Sequence, residues 1–399
     1  MVSRNNHTGS FLHMNAIHAL EELKKKKTPK IAPELLRAFY LRYFSAPTFP
    51  MVHIAGTNGK GSVSEKLRYA CEKAGYRTGL FTSPHLHNFQ ERMQVARNMI
   101  GEDHFRQLYL LVEKIAAKSP FTLSFFTILF FMSIQYFSEK NVDIAILETG
   151  IGGRFDATNL FPAELSIITS IGYDHMDLLG DTLEQIAWEK AGIIRENTPV
   201  VLGPKARLKP LFLEAEKKNA PIILAPSTPC RWYDEENTLI AQAALRHLKI
   251  DTSSIENVRP PCRFEIVEGW IVLDIAHNAP GFFALFAALN THFPNRRYRF
   301  VVCLTKGKEI PQVFPEGSFV EITAISHTQI SSVEELKKCL HLKGPHHYTP
   351  HLDEALPQAA KSALAYEEVL VVTGSSYAMG ATKQWIEENR LFLQQGSCK

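Results

Sequence analysis

Glycines, a lysine and two hydroxyl residues lie close together between Val52 and Ser62, in the sequence Val-His-Ile-Ala-Gly-Thr-Asn-Gly-Lys-Gly-Ser. An apolar strand that runs through a glycine-rich turn into a helix near Ser62 points several backbone N–H groups at one spot, where a phosphate group can bind. Lys60 adds a positive charge for the outer phosphates, and Ser62 or Thr57 can place a hydroxyl near a magnesium ion. The pattern predicts a nucleotide site, with ATP as the nucleotide.

The spacing of this loop is shorter than that of a standard P-loop. Gly61 separates Lys60 from Ser62, whereas the standard motif places the lysine directly before the hydroxyl residue. A glycine-rich turn between a strand and a helix, with no ligand, has a similar composition. The loop alone therefore favours a phosphate site and leaves the plain turn as an alternative.

A serine follows the next predicted strand, Thr78 to Thr82, in the segment Thr-Ser-Pro-His-Leu. Ligands of an α/β sheet gather beyond the carboxyl ends of its strands, which is where Ser83 and His85 should lie. Ser83 is therefore a candidate metal ligand or phosphate contact. Simple turn chemistry explains the pair Ser83 and Pro84 equally well.

An acidic residue ends the buried strand predicted from Val142 to Leu147. Glu148 is followed by three glycines and by Arg154, Asp156 and Asn159. A carboxylate at the end of a strand near a phosphate loop suits magnesium coordination. A surface glutamate beside a glycine turn would look similar. Because so many glycine, arginine and aspartate residues together have no evident packing use, the functional interpretation is the stronger one.

A lysine lies on the apolar side of a later predicted helix. The helix opens at Thr182, which forms a capping box with Gln185, and Lys190 follows Ile186 by four residues. A lysine in this position either extends its ammonium group to solvent or has its pKa lowered by burial. The spacing alone favours a structural lysine over a reactive one.

Composition places the chain among globular proteins. Its 399 residues are too many for one ordinary core, 45% of them are hydrophobic and 21% are charged. A net charge of +3 without a basic tail disfavours nucleic-acid binding, and the one dense cluster, Lys24 to Lys27, suits a solvated helix end. Six scattered cysteines without CxxC spacing argue against a disulfide framework or structural zinc.

Two further features bear on location. The first thirty residues lack the continuous apolar core of a signal peptide, which together with reduced cysteines predicts a cytoplasmic protein. The stretch Phe121 to Phe137 is almost entirely apolar, but it is short for a bilayer span and several hydroxyl and amide residues interrupt it. We predict a buried helix there.

Alternating strand and helix patterns predict an α/β fold with two domains. Residues 1–258 would form a P-loop-type ATPase domain with a mostly parallel sheet, in which two helices within residues 14–44 precede the strand of the phosphate loop. The pattern breaks at residues 251–261, and residues 259–399 would form a smaller, Rossmann-like α/β domain.

Polar residues follow two predicted strands of that second domain. Asp274 and His277 lie at the end of the strand predicted from Trp270 to Ile275, and Ser375 lies at the end of the strand predicted from Val369 to Thr373. Both groups should therefore face a common sheet edge.

Taken in order, these motifs resemble the folylpolyglutamate synthase and dihydrofolate synthase family, within the wider group of ATP-dependent muramyl ligases. The motifs that carry the resemblance span both domains. They are His53 to Ser62, Thr82 to Leu86, Leu147 to Asn159, Asp174-His175 with Leu179-Gly180, Glu189 to Ile193, Arg263-Phe264, Asp274 to Asn278 and Gly374-Ser375. Two places depart from the family pattern: Ala279 is an extra residue before Pro280, and the segment Lys306 to Ile310 lacks the usual aspartates.

The resemblance implies a role for each matching residue. Catalytic roles fall to Lys60, Lys190 and His277, and Lys190 would be carbamylated by carbon dioxide, which reverses the preference from spacing alone. ATP would be bound by Thr57, Asn58, Gly59, Lys60, Gly61, Ser62, Asn237, Arg263 and Asp274. Two magnesium ions are implied, with Ser83, Glu148 and His175 as ligands. The pterin would contact Thr122, Leu123, Ser124, Phe125, Phe155, Asp156 and Ala157, and the incoming glutamate would lie near His277 and Ser375.

The implied reaction is the joining of L-glutamate to dihydropteroate, and also to reduced folates, through an acyl phosphate. The implied partners are these small molecules, with no nucleic acid and no membrane, and the implied state is a monomer. Two alternatives remain at this point. One is a muramyl-type amino-acid ligase, and the other is a P-loop switch or binding module without ligation, which would not need Lys190 beside a metal.

Overall fold

The computed structural model describes residues 6–26 and 28–394. Contacts group the chain into two compact units, Met1–Ser227 with Glu236–Val258, and Thr228–Glu235 with Arg259–Lys399. Residues 228–235, which the predicted boundary assigns to the first domain, thus group with the second unit. Both units have the predicted α/β architecture.

The first unit contains one eight-stranded sheet. Its strands are β1 (Met51–Ala55), β2 (Thr78–Phe81), β3 (Met93–Val95), β4 (Asn98–Met99), β5 (Ile144–Glu148), β6 (Leu165–Ile168), β7 (Val200–Leu202) and β8 (Ile222–Leu224). They are ordered β4-β3-β2-β5-β1-β6-β7-β8. In this order, the neighbouring strands β2-β5-β1-β6-β7-β8 all pair in parallel. The strands β3 and β4 extend the β2 edge in antiparallel fashion. The prediction of a mostly parallel sheet is confirmed.

Helices cover both faces of this sheet. They are α1 (Asn6–Lys25), α2 (Pro33–Leu41), α3 (Lys60–Lys73), α4 (Glu102–Ala116), α5 (Phe125–Glu139), α6 (Met176–Leu179), α7 (Leu183–Ala191), α8 (Lys209–Lys217) and α9 (Tyr233–His247), of which residues 236–247 lie in this unit. Because side chains alternate along a strand, Val52 and Ile54 share a core with α3 and α9, whereas Met51 packs on the other face with α4 and α5. The predicted apolar helix is α5, which is buried along most of its length. No helix in the described ranges is long and apolar enough to span a membrane.

The second unit has a six-stranded sheet. Its strands are β9 (Glu265–Val267), β10 (Ile271–Leu273), β11 (Tyr298–Cys303), β12 (Phe319–Thr323), β13 (His346–Tyr348) and β14 (Val369–Thr373), in the order β13-β12-β11-β14-β10-β9. All pairs are parallel except β9 with β10. Its helices are α10 (Ala279–His292), α11 (Val333–Cys339), α12 (Leu352–Ala365), α13 (Ser376–Glu388) and α14 (Arg390–Leu393).

Helix α3 carries a lysine whose side chain is fully buried. The Lys66 ammonium donates to the backbone carbonyls of Val258 at 2.8 Å, Ile255 at 3.0 Å and Glu256 at 3.4 Å. An ammonium group has three donors, so these carbonyls match its full capacity. Lys66 thereby fixes the last residues of the first unit to the helix that follows the phosphate loop.

We expect Lys66→Met to lower the free energy of unfolding by about 2–4 kcal/mol, because it leaves buried carbonyl groups without their donor. Urea unfolding measures this change. The matched control is Lys73→Met on the same helix, where an exposed lysine donates to the Ser254 hydroxyl at 3.1 Å. Its effect should stay below about 0.5 kcal/mol. Equal effects of the two substitutions would contradict the anchoring role of Lys66.

Candidate active site

The candidate site of the first unit lies at the carboxyl ends of four neighbouring parallel strands, β2, β5, β1 and β6. Ile54 pairs with Glu148, and Ala55 pairs with Ile168, so the ends of the three central strands are level. The segments that leave these ends contain the predicted phosphate loop, Ser83, Glu148 and the Asp174-His175 motif. The topology therefore brings the predicted residues of four separate motifs to one sheet edge.

The phosphate loop is held against the segment that follows β6. Thr57 N–H donates to the Ser170 carbonyl at 2.8 Å, and Asn58 N–H donates to the Ser170 hydroxyl at 3.0 Å. The Thr57 hydroxyl donates to the Gly172 carbonyl and accepts from the Gly172 N–H, at 3.1 and 3.0 Å. Because the Thr57 hydroxyl already makes two bonds, Ser62 is the better of the two predicted hydroxyl groups for a metal.

Gly59 precedes the first residue of α3 in a left-handed conformation, with φ of 88°. A Cβ atom there would lie 2.4 Å from the Asn237 side-chain oxygen. The loop thus needs glycine for its backbone angle and for space. The structure also places Asn237, a predicted nucleotide residue, directly against the phosphate loop. Helix α3 begins at Lys60, two residues before the predicted start near Ser62.

Two lysine side chains meet at one carbonyl group of the loop. The Lys190 ammonium lies 2.9 Å from the Gly56 carbonyl oxygen, and the Lys60 ammonium lies 3.1 Å from the same atom. Burial, and then the nearby charge of Lys60, lower the pKa of Lys190 to about 7. Lys190 is buried, so the interpretation in which its ammonium group extends to solvent is wrong.

Close packing of glycines fixes the position of Lys190. The Arg154 N–H donates to the Glu189 carbonyl at 2.8 Å, and a Cβ atom on Gly192 would lie 2.3 Å from the Arg154 Cα. A Cβ atom on Gly153 would lie 3.0 Å from the Lys190 carbonyl oxygen. The sequence argument that this glycine and arginine motif has no packing use is therefore wrong. Its packing presses the loop after β5 onto α7.

The predicted metal ligands lie on three of the four segments. The Ser83 N–H donates to the Glu148 carboxylate at 3.1 Å, and Glu148 is buried at the end of β5. His175 has a left-handed backbone at the start of α6, and the charge of the preceding Asp174 acts on Lys190. Among the described residues, no group of three or more histidine, cysteine, aspartate or glutamate side chains could hold a metal ion. The serine, glutamate and histidine set remains a prediction.

A cavity of about 290 Å³ lies beside α7 in the first unit. Five of the residues predicted to contact the pterin line it, and they are Ser124, Phe125, Phe155, Asp156 and Ala157. The other two, Thr122 and Leu123, line a different cavity together with residues of α1 and α4. The wall also contains residues for which the sequence analysis predicts no pterin contact, among them the segment Thr28 to Ile31 and Glu189.

Asp156 uses its carboxylate within its own loop. One oxygen accepts from the backbone N–H groups of Gly150 and Ile151 at 2.9 and 3.0 Å, and the other accepts from the N–H and hydroxyl of Thr158 at 3.0 and 2.6 Å. Burial raises the pKa of Asp156, and these hydrogen bonds oppose that rise. The arrangement makes Asp156 a support for the cavity wall.

The second unit holds the predicted Asp274 at the end of β10. Its carboxylate accepts from the Tyr233 hydroxyl at 2.6 Å, the Phe264 N–H at 2.9 Å and the Ala276 N–H at 2.8 Å. Burial raises the pKa of Asp274, whereas the Tyr233 hydrogen bond and the charge of Arg263 lower it. Arg263 and Asp274, both predicted nucleotide residues, are thus electrostatic neighbours within one unit. Sequence reasoning missed Tyr233.

Two further predicted residues lie at the same sheet edge of the second unit. The His277 Nδ1 atom lies 2.9 Å from the Ile275 carbonyl oxygen, and the Ser375 and Thr305 hydroxyls lie 3.2 Å apart. Asn278 caps α10 by accepting from the Gly281 N–H at 2.8 Å. The extra residue Ala279 is simply the first residue of that helix.

Comparison with known proteins places the chain in a family. Residues 54–220 match the Mur ligase middle domain. A dihydrofolate synthase/folylpolyglutamate synthase of Bacillus subtilis is 43% identical over 177 residues, which span 42% of this chain and 41% of that protein. One from Buchnera aphidicola subsp. Acyrthosiphon pisum is 31% identical over 322 residues, which span 73% of this chain and 77% of that protein. The chain belongs to this dihydrofolate synthase/folylpolyglutamate synthase family.

The fold of this chain agrees with that of a solved relative. The folylpolyglutamate synthase of Mycobacterium tuberculosis, complexed with ADP, has a TM-score of 0.82 and 25% identity, covering 94% of this chain and 98% of that one. Family membership makes the chain an ATP-dependent ligase. The nucleotide switch is thereby excluded, and the muramyl-type ligase is disfavoured by the folate-ligase names of the relatives.

Proposed function

We propose that this chain joins the amino group of L-glutamate to the carboxylate of dihydropteroate at the expense of ATP, and that it also extends reduced folates. The observation that carries the proposal is that Lys60 and Lys190 meet at the Gly56 carbonyl, while the buried carboxylate of Glu148 ends the neighbouring strand β5. The Lys60 cation, a buried Lys190 amine that can be carbamylated and a carboxylate beside a phosphate loop suit the transfer of a phosphoryl group. The proposed setting is a cytoplasmic monomer, without nucleic acid or membrane.

The reaction needs two bond exchanges. An oxygen of the substrate carboxylate attacks the γ-phosphorus of ATP, ADP leaves, and an acyl phosphate forms. The glutamate amine then attacks the acyl carbon, phosphate leaves with the bonding electrons, and the amine loses a proton as the amide forms. Lys60 stabilises charge on the transferred phosphoryl group, while Gly59, Gly61 and Ser62 bind the phosphates through the start of α3.

Magnesium would be held by Ser83, Glu148 and His175, with two ions in the complete site. The fit rests on the chemistry of the donor set, because the Glu148 carboxylate, buried at the end of β5 next to the Ser83 N–H, supplies oxygen ligands of the kind that magnesium takes. When bound, the metal would neutralise charge on the triphosphate. In the second unit, Arg263 and Asp274 would bind the nucleotide, and His277 and Ser375 would bind the incoming glutamate.

Carbamylation of Lys190 fits its surroundings. Only a neutral amine can attack carbon dioxide, and a pKa of about 7 leaves much of this amine neutral near neutral pH. The carbamate would replace a buried cation by an anion beside Lys60, and it would remove the repulsion between the two ammonium groups. The modified side chain would face the metal site as a further carboxylate.

The test is ADP release by the purified protein with ATP, magnesium, dihydropteroate and L-glutamate, and with each of these omitted in turn. We expect ADP only in the complete mixture, and a product that is heavier than dihydropteroate by one glutamate residue. Tetrahydrofolate in place of dihydropteroate tests the second activity. ADP release that does not depend on the pterin and glutamate would contradict the proposal.

A further inference from the structure

The cavity beside α7 contains a carboxylate to which the proposed function assigns no role. Glu189, the residue before Lys190, lines this cavity and is largely buried. Its Oε1 atom accepts from the Lys30 ammonium at 2.9 Å. Lys30 also donates to the Leu178 carbonyl at 3.1 Å, and its ammonium lies 5.4 Å from the centre of the Phe155 ring. An acid, a base and an aromatic ring thus lie together on one wall.

Glu189 is the acid of this cavity that can serve a ligand. Among the described lining residues, the acidic ones are Asp156 and Glu189. A carboxylate accepts about four hydrogen bonds, and Asp156 already accepts four from its own loop. Glu189 accepts one side-chain hydrogen bond, from Lys30, whose own side chain is 49% exposed. A ligand can therefore rearrange the Glu189 and Lys30 pair without dismantling the wall.

We propose that Glu189 and Lys30 recognise the pyrimidine edge of the pterin, an inference that rests on the proposed function and names the residues that determine its pterin specificity. The 2-amino-4-oxo ring carries two adjacent donors, N3–H and the 2-amino group, which match the two oxygens of a carboxylate. Its O4 atom, next to N3, is an acceptor, and the Lys30 ammonium beside Glu189 can donate to it. Phe155 supplies an aromatic face for the ring.

The first test is equilibrium binding of dihydropteroate to the full chain, followed by pterin fluorescence. We expect Glu189→Gln to weaken binding by about 10- to 100-fold, because the amide NH₂ faces a donor and leaves it unpaired. Lys30→Met should weaken binding by about 3- to 10-fold, since it removes one hydrogen bond. The matched control is Glu184→Gln, an exposed residue of the same helix, which should bind as the wild type does.

A second measurement separates recognition from damage to the neighbouring Lys190. A dihydropteroate analogue without the 2-amino group should bind the wild-type protein about 10-fold more weakly than dihydropteroate does. The affinities of the Glu189→Gln protein for these two compounds should lie within about twofold of each other. A merely structural role of Glu189 would weaken both compounds equally and leave their ratio unchanged. ATP binding, measured by calorimetry, should be the same in both proteins.

The outcomes distinguish this inference from the function on which it rests. If the wild type does not bind or ligate dihydropteroate, the proposed function is wrong and this inference is wrong with it. If the wild type binds and ligates dihydropteroate while Glu189→Gln binds it equally well, or retains the wild-type ratio between the two compounds, only the recognition by Glu189 is wrong.

Discussion

Lys190→Ala is expected to lower kcat for glutamate ligation by about 10²- to 10³-fold, the loss typical of one charged group that stabilises a transition state. The side chain is buried, and its amine lies 2.9 Å from the Gly56 carbonyl at the start of the phosphate loop. Removing it removes the proposed carbamate and leaves Lys60 without the anion that would face it. Steady-state ADP release with dihydropteroate and glutamate measures the effect.

Chemical rescue tests whether the missing group is a carboxylate. Formate or acetate added to Lys190→Ala should restore part of the activity, because a small carboxylate can occupy the space of the carbamate. Neither should restore activity to Lys60→Ala, which lacks a cation. As a control for the removal of a lysine, Lys205→Ala should retain wild-type activity, since Lys205 is exposed and pairs with Glu236. Full activity of Lys190→Ala would show that the carbamate is dispensable.

The pKa of Lys190 fixes the sign of a pH effect. Carbamate formation consumes the neutral amine, whose fraction falls as the pH drops through about 7. The carbamate, and ligation with it, should therefore decline between about pH 8 and pH 6, and added bicarbonate should restore part of both. The carbamate signal of protein equilibrated with ¹³C-labelled carbon dioxide measures occupancy by NMR. Occupancy that rises toward acid pH would have the wrong sign.

The strand ends were predictable from the sequence because their causes are local. An apolar run followed by glycine marks the end of a buried strand, and parallel strands bring such ends to one edge. This reasoning alone placed the phosphate loop, Ser83 and Glu148 together, and the structure places them on neighbouring strands. The capping box of Thr182 and Gln185 was likewise a local pattern, and it is present as predicted.

The missing parts of the site depend on contacts between distant segments. Glu189 and Lys30 are 159 residues apart, and neither belongs to a periodic pattern that would mark it as part of a cavity. The same applies to Gly192, whose need for glycine arises from the backbone of Arg154. Sequence spacing gave the right side of the helix for Lys190. It could not show that the acceptor of this lysine is the phosphate loop itself.

Two elements of the first unit were missed for different reasons. The hairpin of β3 and β4 turns through Ala96 and Arg97, both with positive φ, where a sequence argument expects glycine or asparagine. Helix α4, in contrast, carries a readable pattern, since Phe105, Leu108, Tyr109, Val112 and Ile115 form its buried face. The hairpin therefore depends on a turn that its residues do not signal, whereas the apolar spacing of α4 is a regular helical pattern.

Gly59→Ala is expected to weaken ATP binding by about 100-fold or more, the second large effect. Its φ of 88° disfavours any residue with a side chain, and the new Cβ atom would lie 2.4 Å from the Asn237 oxygen. Relief of that contact must move either the phosphate loop or Asn237, and both are predicted to bind the nucleotide. Calorimetric titration with a non-hydrolysable ATP analogue measures the loss.

Gly75→Ala separates backbone strain from this clash. Gly75 has a φ of 93°, close to that of Gly59, but a Cβ atom there would have no neighbour within 4 Å. Both substitutions should therefore cost about 1 kcal/mol in unfolding free energy from the left-handed backbone. Gly59→Ala alone should lose ATP binding, because the loop and Asn237 cannot both keep their positions. If Gly59→Ala binds ATP as Gly75→Ala does, the phosphates do not bind at the start of α3.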